Sequence, residues 1–207
     1  MLRCFHQNST FGRLLAAFFY FCTLWIGALS FSANAEVLKT PEAFLSEAFA
    51  DFPEPQRKSF WLKQELKDDF LDQLDYRFHQ LRIRYWVSNS RTAWILDEIG
   101  KEQPITMGIV VDGNAPGKLN IVSVDILEYR ESRGWEVKHD FFTRQFVGAN
   151  LRTHSKKPEL DRSIDGITGA TLSVRAVKKV ATLALLLHAQ AHGIPNGETK
   201  QASTKTH

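Results

Sequence analysis

The middle of the chain, residues 105–126, reads ITMGIVVDGNAPGKLNIVSVDI. Apolar residues alternate with others on both sides of the turn signal at 112–117: Ile105, Met107, Ile109 and Val111 before it, Val122, Val124 and Ile126 after it. This alternation predicts two strands joined by a turn. The same pattern at 81–87 and 92–96, around the turn Ser88-Asn89-Ser90, predicts two more strands. Strands joined by short turns favour an antiparallel sheet.

Helices are predicted on either side of these strands. Residues 36–80 have a helical pattern, with Thr40 as an N-cap and Pro41 at the first helical position. The strongest helical pattern runs from Leu172 to His192 and is ended by Gly193. The chain is therefore expected to have an α+β fold, an antiparallel sheet packed with helices, with a helical N-terminal extension.

The first 35 residues have the composition of a secretory signal peptide. A positively charged start precedes the apolar run at 14–31, and Ala33-Asn34-Ala35 provides the small residues that signal peptidase needs. We expect cleavage before Glu36 and a periplasmic mature protein. The alternative is an uncleaved anchor that holds the protein at the inner membrane, since the apolar run is near the lower length limit for a spanning helix.

Composition excludes several classes of function. The 207 residues include 26 basic and 23 acidic ones, without a long basic run, so nucleic acid is not an expected partner. Cys4 and Cys22 both lie in the leader, so the mature chain is expected to have no disulfide, thiolate metal site or thioether-linked haem. Residues 194–207 are polar and are predicted to be a disordered tail.

The segment DGITGATLS, residues 165–173, directly precedes the C-terminal helix. Gly166 and Gly169 allow backbone angles that other residues resist. Gly169 and Ala170 leave room for a bulky group against the backbone. A helix N-terminus carries unpaired N–H groups and partial positive charge, and therefore attracts phosphate.

The first turns of this helix contain no acidic residue and carry Arg175, Lys178 and Lys179. These cations oppose the helix dipole, and a bound phosphate would relieve that conflict. The alternative is an ordinary N-cap, in which the hydroxyl of Thr171 or Ser173 accepts a helix N–H. The residues alone leave both interpretations open.

This segment resembles the flavinylation motif of the FMN-binding domain family, in which Asp, two residues, Ser or Thr, and then Gly-Ala-Thr precede a helix. The family includes flavin-bearing subunits of the sodium-pumping NADH:quinone oxidoreductase and of the related ferredoxin:NAD oxidoreductase. All five constrained positions match: Asp165, Thr168, Gly169, Ala170 and Thr171. The likeness covers roughly 105–192, and the FMN-binding domain is expected over residues 81–193.

The resemblance implies that FMN is attached covalently, through a phosphodiester with the hydroxyl of Thr171. A periplasmic, magnesium-dependent flavin transferase would install it with FAD as the donor. The residues then expected around the phosphate are Thr168, Gly169, Ala170 and Ser173.

A second likeness lies at residues 128–135, EYRESRGW. The family has a Glu-Thr-Pro-Gly loop after a strand, near the flavin. Glu131 and Gly134 correspond to its first and last positions, whereas Ser132 and Arg133 depart from it. Trp135 is a candidate to stack on the isoalloxazine ring, and Arg133 to stabilise the negative charge of the reduced ring. A core tryptophan and a solvated arginine are the alternatives.

The resulting hypothesis is an electron-transfer module, a carrier or redox subunit rather than a stand-alone enzyme. Its expected partners are a membrane redox subunit or a cytochrome. Two alternatives remain: a small flavin-dependent reductase, which would need a substrate pocket with general-acid groups, and a non-redox binding module of the same fold. No metal site is expected, because His188 and His192 have no third ligand nearby in sequence and histidine is favoured at a helix C-terminus anyway.

Overall fold

The computed structural model describes residues 36–115, 118–152 and 157–194, which belong to one compact unit. The predicted signal peptide and residues 195–207 of the predicted tail lie outside the described residues. Six strands form one antiparallel sheet: β1 Glu36–Val37, β2 Gln56–Trp61, β3 Arg82–Ser88, β4 Arg91–Ile99, β5 Pro104–Asp112 and β6 Asn120–Tyr129. Their order across the sheet is β1-β6-β5-β4-β3-β2. The helices are α1 Pro41–Ala48, α2 Gln64–Leu74, α3 Asp140–Thr143 and α4 Thr171–Ala191. The α+β fold expected from the sequence is confirmed.

The predicted helical region at 36–80 needs two corrections: it begins with strand β1, residues 36–37, and it is interrupted by strand β2. Its first helix is α1, where Thr40 Oγ1 accepts the Ala43 N–H at 3.2 Å, as expected of the N-cap. The second helix begins only at Gln64, because residues 56–61 form strand β2 and pair with β3. Five of the six residues of β2 are exposed, so its sequence carries no burial pattern. Pairing with the edge of β3 overrides the local helical preference.

Helices cover both faces of the sheet. On one face, Met107 and Ile109 of β5 are fully buried in the core that α4 completes. On the other face, Phe44 of α1 packs into a smaller cluster with Val110. Gly108 makes this contact possible, since a Cβ there would lie 2.6 Å from the Phe44 ring. The fold therefore has three layers: α1, the sheet and α4.

The C-terminal half of α4 is enclosed on all sides. Every residue from 180 to 189 is buried. Gly193 ends the helix with φ +65°, and the N–H of Ile194 reaches the Ala189 carbonyl at 2.8 Å, which together form a Schellman-type end. Within the described ranges, no helix has both the length and the hydropathy needed to cross a membrane.

A buried hydrogen-bond chain anchors this half of α4. Trp94 Nε1 donates to Thr92 Oγ1 at 2.8 Å, and that oxygen lies 2.6 Å from His188 Nδ1. His188 Nε2 lies 2.7 Å from the Gly113 carbonyl. Because a carbonyl only accepts, Nε2 carries the proton and Nδ1 accepts from Thr92. Burial lowers the pKa of His188 to about 4, so the ring is neutral.

In the described part of the chain, no group of three His, Cys, Asp or Glu residues is placed to hold a metal.

Candidate functional site

The 165–173 segment forms an open turn at the start of α4. Asp165, Thr168 and Thr171 are exposed. Gly169 has φ +85°, a conformation that favours glycine. A Cβ added at Gly166 or at Gly169 would meet no atom within 4 Å beyond its chain neighbours. The turn therefore leaves open space beside the backbone directly before Thr171.

No side chain caps the start of α4. The N-cap residue is Ala170, and the first turn contains no acidic residue. Thr171 is the first helical residue and Ser173 is buried, so neither takes the N-cap position that the sequence left open for them. The first N–H groups of a helix have no intrahelical partner. An exposed, uncapped helix start with open space beside it fits a phosphate group.

The three cations near this helix start have different surroundings. Lys179 Nζ contacts Glu98 Oε1 at 3.1 Å and the Asp75 carbonyl at 2.9 Å. Arg175 and Lys178 are exposed, and neither makes an ion pair with any described residue. They lie four and seven positions after Thr171, on the same stripe of the helix. Among the described residues, no acidic partner therefore offsets the charge of Arg175 and Lys178 along the stripe that begins at Thr171.

Glu131, expected near the cofactor, has its carboxylate in the β4–β5 turn. Its Oε1 accepts the backbone N–H groups of Lys101, Glu102 (2.7 Å) and Gln103 (3.0 Å). Partial burial favours the neutral acid, but the three N–H donors and the charge of Lys101 outweigh it and lower the pKa of Glu131. The contacts of Glu131 fix the loop that follows β6.

Gly134, at the far end of this loop, lies against the helix start. Its φ is +81°, and a Cβ there would lie 2.7 Å from Ser173 Oγ and 3.3 Å from Ala170 Cβ. A residue with a side chain would push the loop away from α4. The two sequence motifs, separated by some thirty residues of chain, thus meet at this contact.

Trp135 is 49% exposed, so it is not the core residue that the alternative interpretation required. Its ring meets the His139 ring edge to face at 5.1 Å between centroids, and His139 stacks with Phe141 at 6.1 Å. Phe141 is 60% exposed. We call Trp135, His139 and Phe141 the aromatic patch. Arg133 is also exposed, beside the contact between Gly134 and the helix.

Comparison with protein-family models adds an independent finding. Residues 100–186 match the model of the FMN-binding domain family. The chain contains an FMN-binding domain. The match includes the whole 165–173 segment, the Glu131 loop and the aromatic patch, and it begins at the turn that Glu131 holds. Comparison with curated proteins and with solved structures returns no match.

Sequence reasoning missed two residues of the FMN-binding domain that organise this site. Gln145 Oε1 accepts the Asp165 N–H at 2.7 Å and so joins the segment after α3 to the flavinylation-like motif. Tyr129, the last residue of β6, is buried and contacts both the loop and α4. A polar residue in a short irregular helix and a tyrosine in a strand give no signal of such long-range partners.

Proposed function

We propose that this protein is an exported electron-transfer module whose FMN-binding domain carries FMN covalently, through a phosphodiester with the hydroxyl of Thr171. The observation that supports this proposal best is the position of Thr171. It is exposed and begins an uncapped helix that has no acidic residue in its first turn. A hydroxyl there is accessible to a modifying enzyme and lies where a phosphate is favoured.

The surrounding residues have separate roles in this proposal. The first N–H groups of α4 hold the phosphate, and Arg175 and Lys178 offset its charge. Gly169 leaves room for the phosphate beside the backbone, with Thr168 at the rim of the turn, whereas Ala170, expected from the sequence to leave room as well, is buried against Gly134. The aromatic patch, with Trp135 nearest in sequence to the helix contact at Gly134, provides a surface for the flavin ring.

Attachment exchanges the phosphoanhydride bond of FAD for a phosphoester bond to Thr171. The Thr171 oxygen bonds to the FMN phosphorus of FAD, the bond between the two phosphates breaks, and AMP leaves with the electron pair. The hydroxyl proton passes to a base, which we assign to a periplasmic, magnesium-dependent flavin transferase. Thr171 is then a substrate residue of another enzyme.

FMN, when bound, passes electrons one or two at a time. A covalent link would retain the flavin outside the cytoplasm. Because Trp135 and Phe141 are largely exposed, a flavin beside them would be accessible to a partner protein. We propose a membrane redox subunit or a cytochrome as that partner, which would place the protein in the periplasm near the inner membrane.

The proposal is tested by expressing the full chain with and without a flavin transferase and collecting the exported protein. We expect the intact mass to rise by one FMN less water only when the transferase is present. The protein band should then be fluorescent in a denaturing gel, because a covalent flavin survives denaturation.

Ser163→Ala is the matched control for Thr171→Ala, since Ser163 also has an exposed hydroxyl but lies two residues before the motif. Thr171→Ala should lose the added mass and the fluorescence, and Ser163→Ala should keep the covalent link. An unmodified wild-type mass in the presence of active transferase would contradict the proposal.

A further inference from the structure

The hydroxyl of Tyr129 joins the loop after β6 to the start of α4. It donates to the Arg133 carbonyl at 2.6 Å and lies 3.2 Å from Ser173 Oγ. Tyrosine has a single hydroxyl proton, and the Arg133 carbonyl can only accept. Ser173 therefore donates its own proton to the Tyr129 oxygen. Both side chains are buried, so neither hydroxyl exchanges these partners for bulk water.

These contacts leave the Ser173 hydroxyl committed to the protein. The sequence predicts Ser173 among the groups around the phosphate, yet its proton is used on Tyr129, and Gly134 lies against its oxygen. Thr171, two residues earlier, is exposed instead. Neighbouring hydroxyls in the same helical turn thus have different surroundings.

The loop is fixed at two points. Glu131 holds it to the β4–β5 turn through three backbone N–H groups, and Tyr129 holds Arg133 next to Ser173. Next to the second point, the Gly134 backbone makes its close approach to Ala170. Trp135 follows directly, so its position relative to Thr171 depends on both anchors.

We infer that Tyr129 and Ser173 are positioning residues, whose paired hydroxyls fix the 130–135 loop against the start of α4 so that the flavin environment is rigid. This inference rests on the proposed attachment of FMN to Thr171 for its effect on the flavin. Neither hydroxyl contacts the flavin in this arrangement; both act through the loop and Trp135.

The main test is Tyr129→Phe in the full chain, loaded by the transferase. We expect unchanged flavin loading, because Thr171 itself is untouched, but lower fluorescence anisotropy of the bound flavin and a shifted midpoint potential. Tyr85→Phe is the control, since Tyr85 is also a buried tyrosine but lies on β3 and stacks on Trp94 at 4.6 Å. Tyr85→Phe should leave both flavin properties as in the wild type.

Ser173→Ala should reproduce the Tyr129→Phe changes, and the double variant should add little to either, as expected of two groups in one contact. The inference would be overturned if the bound flavin had the same fluorescence anisotropy and the same midpoint potential in Tyr129→Phe as in the wild type. A selective loss of loading in Ser173→Ala would also overturn it, because that result assigns Ser173 to the phosphate.

The flavin-free protein separates this inference from the proposed function. In Tyr129→Phe, backbone amides in residues 130–135 should exchange hydrogen at least about fivefold faster than in Tyr85→Phe, because the loop loses a buried hydrogen bond. Equal exchange rates would contradict the positioning role. Another outcome is a wild type that takes up no flavin while residues 130–135 still exchange hydrogen faster in Tyr129→Phe than in Tyr85→Phe. That result would contradict the proposed function and leave the positioning role supported.

Discussion

The two ends of α4 are built differently. The C-terminal half, residues 180–189, is buried throughout, is anchored through His188 to β4 and the β5–β6 turn, and ends in a Schellman-type arrangement. The N-terminal end has no side-chain cap, no acidic residue in its first turn, and an exposed Thr171. One end holds the helix in the fold, and the other leaves unsatisfied groups and open space beside it.

This difference separates stability from function along one helix. Changes in the C-terminal half should lower the free energy of unfolding and leave flavin attachment chemistry intact. Changes at the N-terminal end should affect the flavin and leave stability almost unchanged. The flavin-free protein is the right material for testing this separation, because only the packing and hydrogen bonds of the chain contribute to its stability.

The largest expected effect is on core packing. Leu183→Ala removes a fully buried side chain from α4 and should lower the free energy of unfolding by about 2–5 kcal/mol. Leu172→Ala, at the other end of the helix where the side chain is 39% exposed, should cost less than about 1 kcal/mol. Urea denaturation measures both. Equal losses for the two variants would remove the distinction between the two ends.

The next effect concerns the buried hydrogen-bond chain. Thr92→Val keeps the shape of the side chain but leaves Trp94 Nε1 and His188 Nδ1 without their partner. Each orphaned group should cost about 1–3 kcal/mol of stability. Thr92→Ser keeps the hydroxyl and is the control, with a smaller loss expected. Equal stability of the Thr92→Val and Thr92→Ser proteins in the same denaturation assay would contradict this role of the hydrogen-bond chain.

Stability should also fall on mild acidification. The unfolded chain binds a proton at the ordinary histidine pKa of 6.5, whereas burial lowers the pKa of His188 to about 4 in the folded protein. The unfolded state therefore takes up the proton first, and stability present at neutral pH should decrease by about 2 kcal/mol between pH about 7 and about 5. His192, whose pKa burial also lowers, adds in the same direction. His188→Gln should show a weaker pH dependence, and an unchanged slope in that variant would contradict the assignment.

The smallest effect is expected at the open helix start. Leu172→Glu places a negative charge in the first turn of α4, where it interacts favourably with the helix dipole. It should make the flavin-free protein about 0.3–1 kcal/mol more stable than Leu172→Gln at low ionic strength. The difference should shrink in high salt. If the Leu172→Gln protein were more stable than the Leu172→Glu protein at low salt, another charge would already compensate the partial positive charge of the helix start.

The sequence predicted the parts of the fold that have a burial pattern. Strands β3 to β6 and helix α4 were recognisable because their apolar residues alternate or recur at helical spacing in the sequence. Strand β2 was not, because nearly all of its residues are exposed and only its pairing with β3 makes it a strand. The order of apolar and polar residues within β2 does not show that it pairs with β3.

The candidate site follows the same rule. The motif residues and the open helix start were predictable, because small residues and missing acidic residues are visible in the sequence. The partners of Glu131 and Ser173 were not, since they come from a turn some thirty residues earlier and from a strand more than forty residues earlier. The sequence left the exposure of Trp135 open, because nothing in the local sequence fixes where this side chain points.

Attachment of FMN to Thr171 is tested most directly by mass spectrometry of the tryptic peptide of residues 163–175, SIDGITGATLSVR, from exported protein made with the transferase. This peptide contains both threonines of the motif and Ser173, and its fragment ions distinguish them. We expect a peptide heavier by one FMN less water, with the added mass on Thr171. An unmodified peptide, or the same mass on Thr168 or Ser173, would contradict it.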